Sequence, residues 1–311
     1  LPEIQDPSDV NSRPMVKAAA IKLVCIFRTH LPLEFLLQYL PYVINHLKSS
    51  AVVIQTYAAM CIERFLMIKD KIPAGSNDNA NGNGVAEVSV SRIKKEHIVG
   101  HAQVMMAELF TVLENPELPE NDYVMKCIMR LLVVLGTEIV PLTELVLKKL
   151  TVIFERVAKK PVNPHYNHYL FECYAVFIKS CCLDSTSGPE AVSRACDQFE
   201  AMLFPPFQVV LSEEVDEFTP YVFQLLAQLL SYRPGQGLSQ PYKVLFPPIL
   251  SPKLWELKGN VPALTDLLVA YINRGAEYVV SINSLEGVLG VFQKLLSNRS
   301  TDQYASKVID A

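Results

Sequence analysis

Glycine is scarce in this chain of 311 residues: there are 12 glycines, while hydrophobic residues make up 50% of the sequence. A chain this apolar can bury a large core, so extended disorder is excluded except in local segments. Uninterrupted apolar runs are also missing. Charged residues break every window of about 18 residues that a spanning helix would need in the most apolar stretch, namely Arg130, Glu138, Glu144 and Lys148. The sequence therefore predicts a folded chain without a membrane span.

Cysteine spacings typical of zinc or redox sites are absent as well. The seven cysteines lie within or beside apolar helical stretches and never occur as Cys-x-x-Cys. We interpret them as reduced core residues of a cytosolic or nuclear protein. No basic segment precedes an apolar one at the start, so no secretory signal is expected, and Leu1 suggests a segment of a longer chain. The net charge of −4 offers no basic excess for direct binding of nucleic acid.

Motifs of catalytic sites are not found. The sequence has no Gly-x-Ser-x-Gly elbow, no phosphate-binding loop and no dinucleotide-binding glycine pattern. His97 and His101 are four residues apart on a predicted helix, but a third ligand and the Glu of a His-Glu-x-x-His motif are lacking. His165 and His168 lie in an aromatic cluster, where packing is the usual role of such side chains. The sequence therefore predicts no enzyme and no catalytic, metal-binding or cofactor-binding residues.

Helix pairs recur along the chain at about 40 residues, the period of HEAT-type repeats. Apolar spacing predicts first helices that begin near Pro14, Val52, Tyr123, His165, Phe218 and Val261. Second helices are predicted at 33–47, 96–114, 142–157, 191–203 and 285–296. Several elements start at proline, which suits the first turn because its missing N–H costs little there. The pattern predicts an all-α fold, a HEAT-type helical-repeat solenoid.

The predicted pairs, about six to seven in number, are expected to form one solenoid segment over residues 1–311. In the helix from Pro14, polar residues and Cys25 occupy one side and apolar residues cover the rest. Stacking between a partner helix and two neighbouring repeats would bury so wide a surface. Neither end shows a polar capping helix, so the first and last helices are expected to expose apolar side chains.

One segment departs from the helical pattern. Residues 72–91 include a run of Gly, Ser, Asn, Asp and Ala between Gly75 and Gly84. A tract of this composition buries little and cannot offset the entropy of ordering it. We therefore predict a disordered insertion loop at 72–91. Shorter breaks at 184–189 and 233–241 are predicted to be turns between helices.

Two groups of charged residues are candidates for contact with a partner. The basic group lies along and just past the second helix at 142–157 and comprises Lys148, Lys149, Arg156, Lys159 and Lys160. Second helices of a HEAT solenoid usually line its concave side, where solenoids hold their partners. The acidic group is Glu213 and Glu214, before the helix near Phe218. Each group also has a simpler explanation, in favourable charge at helix ends and on a solvated face.

Particular residues are more specific than the period. Eight blocks occur in one order: Ile44–Leu47, Tyr57–Arg64, Tyr123–Arg130, Asn167–Glu172, Glu217–Gln224, Trp255–Glu256 followed by Gly259–Leu264, Arg274–Gly275 and Gly287–Leu295. Together they resemble the CAS exportin family, a group of karyopherin-β proteins. The Asn/Gly-rich segment at 76–84 departs from the family pattern.

The resemblance implies a non-catalytic nuclear export receptor that shuttles between nucleus and cytoplasm. Such a receptor binds importin-α together with RanGTP, and contacts with nuclear pore proteins are expected. No cofactor is expected in this chain, since GTP enters only through its partner Ran. The helical period alone is equally compatible with a HEAT-repeat scaffold of a phosphatase or signalling complex. None of the matched blocks is a binding signature, since most are apolar.

Overall fold

The computed structural model describes residues 2–6, 9–73, 87–115, 118–183 and 188–311. Its packing divides the chain into two compact units. The first comprises Leu1–Leu142 and Asn163–Cys173, and the second comprises Thr143–Val162 and Tyr174–Ala311. Nearly all the regular structure of both is helical, which confirms the predicted all-α fold class.

The first unit contains the first seven helices of the described chain. They are α1 (Pro2–Gln5), α2 (Pro14–Phe27), α3 (Leu33–Asn45), α4 (Val52–Leu66), α5 (Lys95–Ile98), α6 (Ala102–Glu114) and α7 (Asp122–Leu135). The later helices are α8 (Thr143–Ala158), α9 (Pro164–Cys182), α10 (Pro189–Ser212), α11 (Thr219–Tyr232), α12 (Gln240–Ile249), α13 (Val261–Ser281), α14 (Leu285–Leu296) and α15 (Asp302–Ile309). The division between the units passes through α9.

All the predicted first helices are present. They are α2, α4, α7, α9, α11 and α13, and each begins at the predicted residue or one residue from it. In α2, α11 and α13 proline occupies one of the first two positions, where an N–H would have no partner within the helix. Proline therefore indicates the first residues of these helices more closely than apolar periodicity alone does.

In the first unit, α4 packs between α2 and α7. Ile54, Ala58 and Ile62 recur at every fourth position of α4 and are completely buried. The start of α7 is fixed to α4 by Asn121, whose side chain accepts from the Val124 N–H at 3.3 Å and donates to Thr56 at 2.7 Å. Each fully buried isoleucine contributes about 1.5–3 kcal/mol to folding, so this three-helix layer is a main source of the unit's stability.

A two-stranded hairpin interrupts the first unit. Strands β1 (Lys69–Pro73) and β2 (Glu87–Ser91) pair antiparallel, with Lys69 opposite Ser91. The Arg92 Nε donates to the Asp70 carboxylate at 3.0 Å, and its guanidinium also donates to the Leu31 carbonyl at 2.8 Å. Arg92 thereby lowers the pKa of the Asp70 carboxyl. The prediction of a disordered loop at 72–91 is wrong at both ends, which form strands. β-branched residues and the contacts of Arg92 support these strands. Residues 74–86 lie outside the described part of the chain.

Prolines inside helices of the second unit leave carbonyls that other side chains satisfy. Pro247 in α12 has no N–H to offer the carbonyl of Lys243 four residues earlier. The hydroxyl of Tyr278 in α13 donates to that carbonyl at 3.1 Å. Nearby, the buried Tyr271 donates to the Tyr242 carbonyl at 2.8 Å. Tyrosines of α13 thus stabilise a helix that its prolines would weaken.

Two helices of the second unit differ from the prediction, and both contain prolines. The sequence predicts a turn at 233–241, whereas α12 begins at Gln240 despite its three prolines. The second helix predicted at 191–203 runs as α10 from Pro189 to Ser212, through Pro205 and Pro206. Residues 184–187 of the turn predicted at 184–189 lie outside the described part of the chain. Helix α15 was not predicted.

The prediction of exposed apolar side chains at both ends is confirmed. Leu23, Ile26 and Phe27 of α2 are about half exposed, and Ile309 of α15 is 63% exposed. The prediction that neighbouring repeats bury the whole apolar surface of α2 is therefore wrong for this chain. Lys17 is buried instead, because its ammonium donates to the Asp9 carbonyl at 2.6 Å. None of the described helices combines the length and apolarity that a membrane crossing requires.

A glycine at a kink in α13 permits close packing against the turn after α11. Gly275 departs from helical geometry, with φ −133° and ψ 26°. A Cβ built there would lie 2.6 Å from Cδ1 of the buried Leu238. The Gly237 N–H also donates to the Arg274 carbonyl at 2.7 Å. Helix and turn are therefore in direct contact at this point.

We expect Gly275→Ala to lower the free energy of unfolding by about 1–3 kcal/mol, since the new methyl group overpacks the site. Gly290→Ala in α14 is the matched control, because nothing lies within 4 Å of a Cβ there. Alanine should stabilise that helix position by roughly 0.5–1 kcal/mol. Denaturant unfolding of both variants checks the prediction, and a gain of stability for Gly275→Ala would contradict it.

A buried histidine ties α1 to the end of α3. The ring Nε2 of His46 lies 3.1 Å from the Ile4 carbonyl, and burial lowers the pKa of this imidazole. The folded state therefore favours neutral His46, so its contribution is present above the unfolded pKa of about 6.5 and is lost as pH falls below it. We expect a decline of at most about 1.4 kcal/mol per pH unit. Unfolding between pH 7.5 and 5 should show a shallower slope in His46→Gln; equal slopes would exclude this role.

Candidate partner-binding surface

The predicted basic residues all lie in the second unit. Lys148 and Arg156 are exposed on the same face of α8, about two turns apart. Between them Val152 is 52% exposed, while the opposite face of α8 is buried. Lys149 lies about a quarter turn away and is half-buried. Lys159 and Lys160 follow the end of α8 and are exposed.

The predicted acidic residues lie in the turn that ends α10. The Val215 N–H donates to the Val210 carbonyl at 3.0 Å, which closes the helix end. Glu214 adopts the left-handed conformation, with φ 51°, at a position that glycine usually occupies. Both Glu213 and Glu214 are exposed. The turn therefore carries a glutamate where the backbone conformation favours glycine.

Glu213 and Glu214 lie between two helices. They follow the C-terminal end of α10, where the helix dipole disfavours negative charge. The next helix, α11, begins at Thr219, and interaction of the two acids with its N-terminal end stays a prediction. Both side chains are exposed, as the alternative of a solvated face requires.

Two grooves border this acidic turn, both within the second unit. The smaller, named here the α8–α10 groove, has a volume of about 320 Å³. Its apolar lining includes Phe154, Pro206 and Val210, with Lys159 and Glu213 also in the wall. The structure therefore brings one residue of the predicted basic group and one of the acidic group to the same groove.

The larger groove, named here the turn groove, has a volume of about 510 Å³. It lies between the turn after α10 and the segment from α12 to the start of α13. Its charged lining residues are Glu214, Asp216, Lys253 and Glu256. Lys253 donates to Glu214 at 2.5 Å, and Glu214 raises the pKa of the Lys253 ammonium. The sequence offers no signal for Lys253 or Glu256, because their role depends on a 3-10 turn at Pro252–Trp255.

Other reactive side chains have structural roles. His97 Nδ1 accepts from the Lys94 N–H at 3.1 Å and caps α5. Burial raises the pKa of the Cys127 and Cys173 thiols, which makes them poor nucleophiles. The buried Cys25 thiol differs, since a hydrogen bond with Cys61 lowers its pKa to about 7. Among described residues no group of three or more His, Cys, Asp or Glu could hold a metal ion.

Comparison with known families finds two matches that together span nearly the whole chain. The family described as CAS/CSE protein, C-terminus, matches residues 86–311. The family described as Cse1 matches residues 1–62. These ranges include both charged groups and both grooves.

Curated relatives match along the same length. Exportin-2 of Drosophila melanogaster is 38% identical over 303 residues, 97% of this chain and 29% of that protein. The importin-alpha re-exporter of Schizosaccharomyces pombe is 37% identical over 313 residues, 99% of this chain and 30% of that protein. Exportin-2 of Homo sapiens is 36% identical over 304 residues. The chain thus spans about 29% of the length of the curated relatives it matches.

A solved structure shares the fold. The exportin Cse1 in its cargo-free, cytoplasmic state aligns with 99% of this chain and 29% of its own, at a TM-score of 0.77 and 24% sequence identity. At this identity the likeness shows the fold alone. It confirms the predicted helical-repeat solenoid.

Proposed function

This chain belongs to the CAS/CSE family of exportins, and from that membership we propose that it is part of a receptor that carries importin-α out of the nucleus. Proteins of this family are transport receptors and not enzymes. The name of the fission yeast relative, importin-alpha re-exporter, supports importin-α as the cargo. RanGTP is the second proposed partner, so that GTP is bound by Ran and not by this chain. The receptor then shuttles between nucleus and cytoplasm.

We propose that the partner contacts the exposed face of α8 and the acidic turn. The carrying observation is that Lys159 and Glu213 both line the apolar α8–α10 groove. Protein-binding surfaces commonly combine an apolar centre with charged residues around it. The charges attract and orient the partner, and the apolar contact stabilises the complex. Lys148 and Arg156 extend the basic part of this surface along α8.

A pull-down from cell extract tests the proposed cargo against the scaffold alternative. The full-length protein should retain importin-α only when Ran is locked with GTP. Recovery of phosphatase subunits under both conditions would favour a scaffold and overturn the proposal. Nuclear pore proteins are a further expected set of contacts, to be identified in the same experiment.

Reversal of the basic face should separate stability from binding. We expect the triple variant Lys148→Glu, Lys149→Glu and Arg156→Glu to weaken assembly with importin-α and RanGTP by at least about tenfold. Thermal unfolding should change little, because exposed charges typically contribute less than about 1 kcal/mol each. Fluorescence titration of the full-length protein measures the affinity.

Arg194→Glu is the control, since Arg194 is exposed on α10 and does not line either groove. It should leave assembly unchanged. An unchanged affinity for the triple variant at low and moderate salt would place the partner surface elsewhere.

Reversal of the acidic turn should weaken binding and leave stability nearly unchanged. Glu213→Lys with Glu214→Lys places positive charge at the C-terminal end of α10, where the helix dipole favours it by about 0.3–1 kcal/mol. Glu214→Lys also removes the exposed pair with Lys253, which offsets this gain. We therefore expect thermal stability to change little together with weaker assembly. Differential scanning calorimetry and the same titration measure the two effects. Lower stability with unchanged affinity would mean that the acids serve the fold.

A further inference from the structure

The turn groove combines an apolar floor with an excess of negative charge. Its apolar lining comes from α10, α11, α12 and the segment before α13, and comprises Leu211, Phe223, Leu245, Pro248, Ile249, Leu254 and Leu257. Leu257 is 46% exposed, so apolar surface is accessible within the groove. A volume of about 510 Å³ is within the range of ligand pockets, and here it is open to solvent.

The charges around this floor favour a cationic group. Three carboxylates, of Glu214, Asp216 and Glu256, line the groove together with one ammonium, that of Lys253. The Lys253 to Glu214 pair joins side chains that are 72% and 68% exposed. Such an exposed pair is weak, so an incoming cation can replace Lys253 at little cost. Glu256 lies 3.4 Å from Lys294, a contact longer than a charge-assisted hydrogen bond.

We propose that the turn groove binds a short linear segment of a partner protein in which a large apolar side chain stands next to Lys or Arg. The apolar side chain occupies the floor formed by Leu254 and Leu257. The cationic side chain lies at Glu256 and Asp216. An apolar ligand alone would leave these carboxylates unused, and an acidic ligand would be repelled by them.

This inference goes beyond the proposed function, because the groove takes such a segment from any partner that carries it. None of the basic group on and after α8 lines the turn groove, whereas Glu214 of the acidic turn does. The charge reversal on α8 therefore separates the two proposals, because it should weaken assembly with importin-α and leave peptide binding at the turn groove unchanged.

The test uses the full-length protein and a fluorescein-labelled peptide with one Leu between two Arg residues. Fluorescence anisotropy should detect binding that weakens as salt screens the carboxylates. Peptides with Ser in place of Leu, or Gln in place of both Arg, should each bind at least about tenfold more weakly, a change of about 1.4 kcal/mol. A glutamate version of the peptide should not bind.

Variants of the groove locate the binding. Asp216→Lys with Glu256→Lys should weaken the peptide at least about tenfold, and Leu257→Ser should do so without unfolding because the side chain is half exposed. Glu277→Lys, an exposed acid on α13 outside the groove, should have no effect. If Glu277→Lys weakened binding as much as the groove variants do, general charge attraction would explain the binding, and the proposal would be overturned.

Lys253→Ala supplies a change of the opposite sign. Removal of this ammonium frees the Glu214 carboxylate for the peptide, so binding should tighten a few-fold. Circular dichroism should show unchanged helix content in every variant. Weaker binding by Lys253→Ala, or no detectable binding of the Arg-Leu-Arg peptide at low salt, would each refute the inference.

Discussion

The fold depends on helices that are buried along two flanks. α4 packs against α2 on one side and α7 on the other, and its side chains at every fourth position have no exposed surface. A single helix pair cannot cover two such flanks, so each repeat requires its neighbours. In the second unit α11 and α13 pack together in the same way. The energy of folding is therefore distributed along the chain.

Dependence on neighbours also explains how prolines are tolerated. The prolines of α12 leave carbonyls without donors from their own helix, and each such group costs about 1–3 kcal/mol if it is buried without a partner. Tyr278 supplies a donor from the next helix. The local sequence is unfavourable, and packing between repeats compensates for it.

The sequence predicted most helix bounds well, and the predicted ends at 114, 157 and 296 lie within one residue of the ends of α6, α8 and α14. Starts carry proline and a change to apolar periodicity, as at Pro14 and Val261. The helix predicted at 191–203 is the exception, since α10 continues through Pro205 and Pro206 to Ser212, so the sequence did not place Glu213 and Glu214 directly after a helix. The basic residues of α8 were located correctly along the chain, whereas the grooves could not be predicted. They arise from side chains such as Lys253 and Leu211 that are far apart in sequence.

The left-handed conformation of Glu214 bears on how this protein would respond to laboratory evolution. Glycine at that position would relieve backbone strain of roughly 1–2 kcal/mol. A selection for heat resistance alone would therefore favour loss of the carboxylate that borders the turn groove. Variants enriched in such a screen would accumulate a neutral turn after α10, and their gain in melting temperature would be accompanied by loss of one carboxylate from the proposed binding surface.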